Sequence, residues 1–474
     1  MILVGLGVGI DYALLIFARY RAELVRGADP ETATVNALDA AGRSVFFAGC
    51  TVILALLGLV AFGLGSLQGM ALSVALTVLV TMLAALTLLP ALLGVFGRRF
   101  ARQFVRRAKR RAAKGRAAEG TLWRRLAAVV QRRPLAALLV AGVLLGGLAF
   151  PAFGMRLGFS DAGSDPSGST SREAYDLLST GFGPGFNGPL LVVTDGGQDA
   201  AAAAARTLSG TPGVQAAADP VPTQDGRAAT VLVFPTSAPQ DAETSRLVGS
   251  LRDDVLPGVS AQTGATYLVG GATAAAEDYS GKVADRLPLF VAIVVGLSLV
   301  LLMLVFRSVL VPLKAALLNL LSIGAALGAL TLVFQDGWFG VEPGPIEAFL
   351  PVMIFAIVFG LSMDYEIFLI SRIHEEWTRS PRDPSHAVRE GLAHTGAVIT
   401  AAGAIMVAIF GAFMLSPDRM LQQAGLGMSV AIFVDAVIIR CLIVPAAMEL
   451  MGRRAWWLPA PLARLLPKVE LERH

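Results

Sequence analysis

The chain has 474 residues, of which 55% are hydrophobic and 16% charged, and its mean hydropathy is +0.66. So much apolar surface cannot be hidden in a soluble core of ordinary proportions, which excludes a water-soluble globular protein and places the chain in a bilayer. The net charge is +4, with 39 Lys and Arg against 35 Asp and Glu. The two cysteines, Cys50 and Cys441, lie in apolar runs without metal-ligand spacing, so neither a disulfide framework nor a metal site is expected.

A bilayer core takes about 20 apolar residues per helix. Nine stretches qualify: 1–18, 44–64, 70–96, 134–153, 288–306, 314–334, 348–371, 396–415 and 421–450. They are read as helices because open sheets would strand backbone groups in hydrocarbon and no alternating barrel pattern is present. Residues 97–133 hold fourteen Lys and Arg and one acid, Glu119, which puts this basic linker on the cytoplasmic side. The segments Arg19 to Arg43, Arg307 to Lys314, Arg372 to His394 and the tail 452–474 then also fall in the cytoplasm. The expected organisation is a three-helix block at 1–96, the linker, one helix at 134–153, an extracytoplasmic domain at 154–287, a five-helix block at 288–451 and the tail.

The domain 154–287 is polar and rich in Gly, Pro, Ser and Asp. Runs of β-branched residues bounded by Gly and Pro predict strands at 189–194, 213–217, 229–235 and 265–269, with helices near 171–180, 199–209 and 242–255. From 189 onward that order is a βαββαβ, ferredoxin-like α+β unit. A further helix, 272–286, should lead to the membrane at Pro288. The string "GPGFNG" at 183–188 precedes a strand and reads as a loop, not a nucleotide fingerprint. No G-x-x-x-x-G-K-[ST] loop, zinc-protease helix or nucleophile constellation is found, so no catalytic residue, cofactor or metal is assigned.

An internal repeat carries the functional signal. "GLGVGIDYALLIFARYRAEL" is echoed by "IVFGLSMDYEIFLISRIHEEW", with Asp364, Tyr365, Arg372 and Glu376 standing 353 residues after Asp11, Tyr12, Arg19 and Glu23. Gly42 and Gly49 pair with Gly396 and Gly403 at 354, and Pro90 with Pro445 at 355. A three-helix block is therefore duplicated in parallel, related by an axis along the membrane normal. A charge at mid-helix costs about 2.5–3.5 kcal/mol even on a lenient scale. One such acid could simply hydrogen-bond a neighbouring helix; two, each beside a phenol and in the same register, point to shared protons. In so apolar a setting the neutral carboxyl is favoured. Asp11, Tyr12, Asp364 and Tyr365 are thus the candidate proton relay, and Gly5, Gly7, Gly9, Gly360 and Ser362 are expected to let the two acid-bearing helices approach.

Glu366 is a second intramembrane acid but points to another face of its helix. Asp435 and Arg440, five apart in the last span, are secondary candidates that a structural pairing explains equally well. Arg19, Arg372 and His374 are expected at the cytoplasmic boundary, and Trp456 and Trp457 in an interfacial aromatic belt. The basic linker has no interleaved aromatic platform, so anionic lipid headgroups are its expected partner, not nucleic acid.

The two Asp-Tyr helices, the inserted domain and the stretch "VDAVIIRCLIVPAAMELMGRRAWWLP" at 434–459 resemble the MmpL transporters of the resistance-nodulation-division superfamily. The resemblance covers essentially the whole chain. It implies export of lipids or other hydrophobic cargo from the cell membrane, driven by proton-motive force. It also implies crossed contacts, Asp11 with Tyr365 and Tyr12 with Asp364. Such transporters have twelve helices and two porter domains, so three helices and one domain are expected to be missing here, through truncation or as a separate chain. The first span agrees: ten residues precede Asp11 against sixteen from Ala348 to Asp364, about 9 Å less at ~1.5 Å per residue. A SecDF-like subunit for polypeptide secretion and a non-transporting sensor or inactive remnant are the alternatives.

Overall fold

The computed structural model describes residues 2–113, 120–379 and 383–465. Residues 114–119 of the basic linker and the tail beyond 465 lie outside this range. Helix α1 (Ile2–Arg26) ends at a turn where Asp29 accepts hydrogen bonds from the backbone N–H of Glu31 and Thr32 and caps α2 (Pro30–Ala37), whose first residue is proline. Proline suits this position because its missing N–H is an unused donor there, and the carboxylate satisfies two of the donors that remain. A π-helical turn, Leu38–Gly42, leads into α3 (Arg43–Leu57), and α4 (Gly65–Ala113) follows.

The membrane part differs from expectation in three places. Seven helices among the described residues are long and apolar enough to cross a membrane; the expected spans 1–18 and 44–64 are represented by α1 and by the shorter apolar helix Ala48–Val60. Helix α4 does not stop near 96 but runs on, through Pro90, into the basic segment. Within that segment α5 (Thr121–Arg132) packs against the bundle before α6 (Pro134–Ala149) begins.

Between α6 and the next long helix, the chain runs through β1 (Leu157–Gly158), α7 (Thr170–Phe182), β2 (Leu190–Thr194), α8 (Gly197–Ser209), β3 (Val214–Ala217), β4 (Val221–Pro222) and β5 (Ala229–Pro235). It continues with α9 (Ala242–Ser250), α10 (Leu256–Thr263), β6 (Tyr267–Gly270) and α11 (Ala272–Phe306). The sheet order is β3-β5-β2-β6 with every pair antiparallel, and β4 adds to β5. Leu190, Val192, Val231 and Val233 point to one face, where Ala201, Ala204, Leu208, Leu247, Val248 and Leu251 cover them. The expected single helix 242–255 is split by a π turn, Leu251–Val255, and extended by α10. Within "GPGFNG", Pro184–Asn187 form a short 3-10 turn, and Phe186 stacks on Phe234 of β5 with ring centroids 5.0 Å apart.

Two connections tie this domain to the membrane. The helices expected at 272–286 and 288–306 are one, since Pro288 is absorbed within α11. On the other side, β1 pairs in parallel with β7 (Ile346–Glu347), just ahead of α13 (Leu350–Arg379). Gln335 strengthens the clasp: its side chain accepts from Arg156 N and donates to Gly154 O, at 2.7 and 2.9 Å. Between α11 and β7 lies α12 (Leu310–Leu330), which packs on α6 so closely that a Cβ at Gly328 would overlap the Leu148 carbonyl.

The second copy of the repeat is α13, α14 (Pro384–Gly411) and a last helix in three parts: α15 (Arg419–Phe433), a π-helical stretch Val434–Ile443, and α16 (Val444–Met451). Asp383 caps α14 ahead of Pro384 just as Asp29 caps α2, 354 residues earlier. A short α17 (Ala460–Leu465) closes the described chain. His374 of α13 packs against Trp456 with the ring planes tilted by 50° and the centroids 4.4 Å apart, which draws that tryptophan onto the bundle, whereas Trp457 is exposed.

Candidate functional site

Helix α13 sits at the centre of the bundle. Pro351 to Ile370 is buried at nearly every position, so its polar residues meet other helices and not lipid. Ser362 and Glu366, four apart, share one face; Asp364 and Tyr365 look elsewhere. On the Ser362 face a dense network forms with α12 and the π-helical stretch. The Arg440 guanidinium donates to Asp435 at 2.9 Å and to Ser362 Oγ at 3.1 Å, also reaches the Ser362 carbonyl, and lies 3.6 Å from Glu366. Lys314 of α12 pairs with Glu366 at 2.7 Å. Ser362 Oγ faces both Asn319 Oδ1 and Asp435 Oδ1, at 2.5 and 2.8 Å, and can donate to one at a time.

The five-residue spacing of Asp435 and Arg440 makes sense in this backbone. A π turn closes on residue i+5, so it brings together a pair that an ordinary α-helix would set apart. The secondary candidates Glu366, Asp435 and Arg440 therefore belong to one buried ionic cluster, all under 5% exposed.

On the other face, Tyr365 donates a hydrogen bond to Asp11 Oδ1 of α1, and both residues are buried. This is one of the two crossed contacts the resemblance implied. The other is not formed. Tyr12 Oη and both Asp364 oxygens are buried without a hydrogen-bond partner, although Tyr12 lies within electrostatic range of Asp364 and Asp11. The reason is local: Arg440 lies 5.3 Å from the centre of the Tyr365 ring, while the first copy carries Ala13, Val80 and Ala85 where the second has Glu366, Asp435 and Arg440. One tyrosine is braced by a cation and the other is not.

Two further expectations need correction. The small residues do not let α1 and α13 approach each other. Gly5 and Gly9 face Thr77 and Thr81 of α4, Gly7 faces Phe410 of α14, and Gly360 faces Val52 of α3, so each helix is pressed against a third one and Tyr365 meets Asp11 by side-chain reach. Lys314 is not a loop residue but a buried partner of Glu366. A lone Lys and a lone Asn in the apolar run "VPLKAALLNLL" are the signal the sequence carries for it.

Counting charge, four carboxylates lie buried around α13 (Asp11, Asp364, Glu366, Asp435) with two cations, Lys314 and Arg440, among the described residues. The cations engage Glu366 and Asp435. That leaves Asp11 on a phenol and Asp364 on nothing. No group of three or more His, Cys, Asp or Glu that could hold a metal ion is found among the described residues.

The model of the MMPL family matches residues 1–137 and 191–467. The chain belongs to the MMPL family. It is 37% identical to membrane protein YdfJ of Bacillus subtilis over 100% of its own length and 65% of that protein. It is 35% identical to the mycolic acid-containing lipids exporter MmpL11 of Mycolicibacterium smegmatis, covering 99% of this chain and 50% of the relative. The trehalose monomycolate exporter MmpL3 of Mycobacterium tuberculosis is 31% identical, at 99% and 53% coverage. This MMPL-family chain thus spans about half to two thirds of the length of the curated relatives it matches. Among solved structures, SecDF in its Super-membrane-facing form aligns with a TM-score of 0.51 and 15% identity, over 96% of this chain and 54% of that one, which shows a shared fold. With its long apolar helices, the chain is a multi-pass membrane protein.

Proposed function

We propose that this chain is the proton-handling part of a membrane exporter of lipids or other hydrophobic molecules, powered by proton-motive force. The observation that carries the reading is the pair of buried carboxylates left over after the cations are matched: Asp11, held by Tyr365 across the two repeat helices, and Asp364, held by nothing. An unpaired carboxylate in a dry interior is most cheaply kept with a proton on it. A site with two such acids and two phenols can load and release protons as the helices shift, and each charge crossing 100 mV releases about 2.3 kcal/mol. The relatives named as exporters carry mycolic acid-containing lipids and trehalose monomycolate, which supports long-chain lipid cargo. The likeness to SecDF supports the fold and gives no observation favouring polypeptide cargo.

The test is proton flux in liposomes holding a pH-sensitive dye, with and without a fluorescent long-chain lipid. The wild-type chain should pass protons under an imposed gradient. Asp364→Asn should reach the membrane in equal amount and pass at least tenfold fewer. Equal flux from the two would sink the proposal.

A further inference from the structure

Lys314 is the one ionisable residue in α12 (Leu310–Leu330), a helix outside the duplicated block, and Glu366 stands where the first copy has Ala13. The two meet at 2.7 Å with side chains 8% and 4% exposed. A pair so far from water is costly to desolvate, and apolar residues of like size often hold two helices together at least as well. Packing alone therefore gives no reason for it. The pair is one end of a run of contacts whose other end is the Asp-Tyr site. Glu366 also lies 3.6 Å from Arg440, Arg440 lies 5.3 Å from the centre of the Tyr365 ring, and Tyr365 donates to Asp11. Arg440 is within electrostatic range of both Asp11 and Asp364. Lys314 Nζ, Arg440 Nη1 and Glu366 Oε1 make no hydrogen bond among the described residues, so Glu366 acts on both cations through its charge.

We infer that Lys314 and Glu366 are positioning residues that set the pH at which the relay loads its protons, by holding the charge around Arg440 at zero. The inference rests on the proton-handling reading. Lys314 and Arg440 balance Glu366 and Asp435, so neutralising either member of the pair leaves one whole charge in a dry interior beside Asp11 and Asp364. Little else there can absorb it. The remaining ionisable groups at this level are Tyr365 of α13, Tyr12 of α1 with Cys50 of α3 near it, and Cys441 beside Arg440. Residues 65–97 of α4, 134–149 of α6, 287–306 of α11, 395–411 of α14 and 420–433 of α15 carry none. Towards the ends of the helices, Glu449 of α16 is engaged by Ser385 and Gln131, and Arg453 and Arg454 are exposed.

The experiment measures proton flux of the full chain in dye-loaded liposomes across a pH series, at a fixed driving potential set by potassium and valinomycin, and reads the pH of half-maximal flux. Lys314→Gln leaves a surplus negative charge, which favours bound protons, and should move that pH up. Glu366→Gln leaves a surplus positive charge and should move it down. Each shift should be about one pH unit, the size expected for one charge roughly 10 Å away at an effective dielectric of about 20. The double variant Lys314→Gln/Glu366→Gln is balanced again and should return close to the wild-type value, and Lys314→Arg, which keeps the charge, should stay there. A pair that only held helices together would lower the flux of both single variants without opposite shifts. Because the signs differ, either single variant decides alone if the other fails to reach the membrane. Shifts that are absent, share one sign or persist in the double variant overturn this inference alone, provided that Asp364→Asn abolishes the flux. Flux that Asp364→Asn leaves unchanged overturns the proton reading and this inference with it.

Discussion

At the level of single residues, the repeat makes two Asp-Tyr pairs look equivalent, and the structure makes them different. An acid inside an apolar run stands out in any sequence, which is why Asp11 and Asp364 were legible; their inequality was not, because it is imposed by Arg440 and Glu366, where the first copy has Ala85 and Ala13, and by Lys314 of α12, which lies outside the duplicated block. The inequality has a measurable consequence. Tyr365→Phe removes the donor that Asp11 uses and leaves a buried carboxyl oxygen without it, at a cost of about 1–3 kcal/mol. Tyr12→Phe removes a hydroxyl that no group binds here, so it should be neutral to within about 0.5 kcal/mol, or slightly stabilising. Thermal unfolding of the two variants in the same detergent tests this. Equal losses would mean that the second crossed contact is formed in the resting protein after all.

Among the elements, those with strong periodicity or long apolar runs were readable: the spans, and the order of strands and helices in the outer domain. What escaped is whatever depends on partners distant in sequence or on backbone exceptions. Pro288 reads as a boundary because proline removes one hydrogen bond and crowds the preceding turn, yet a long helix anchored at both ends absorbs it. The clasp of β1 with β7 joins strands of two residues each, too short to show any pattern. That clasp holds a buried acid outside the membrane. Glu347 accepts the Ser160 N–H at 2.8 Å, and burial raises its pKa above the usual carboxylate range, with Asp418 adding to the rise and Arg419 opposing it. Asp161, accepting from Gly163 N and Gln240, is likewise raised by burial. A group whose pKa is higher when folded binds its proton more tightly in the folded state. Stability of the clasp should therefore grow as the outside pH falls through that raised value, and decline as pH rises past it. Glu347→Gln should flatten part of this dependence in a pH series of limited proteolysis between Met155 and Asp161, with Asp161→Asn removing most of the rest. A slope unchanged in the double variant would assign the pH response to other groups.

For the whole molecule, the orientation rests on charge. Residues 97–133 carry fourteen basic side chains, and a positively charged segment close to a membrane span is retained on the cytoplasmic side. Part of the basic segment is folded onto the bundle as α5, pinned by Arg124 to Glu390 and by Trp123 over Gly396, so it cannot be a tether that crosses later. The orientation expected from charge thus puts α5 with the adjoining end of α14 on one side and the outer domain, carried by α11 and the β1–β7 clasp, on the other, because α6 leads from α5 to β1. A cysteine at Asp225, on an exposed turn of the outer domain, should react with a membrane-impermeant maleimide in intact cells. One at Leu122, 69% exposed on α5, should react only after the cells are permeabilised. The native thiols are a manageable background, since Cys441 is buried and Cys50 is half-buried in α3. Labelling in the reverse pattern would invert the molecule, and with it the direction in which protons must run through Asp11 and Asp364.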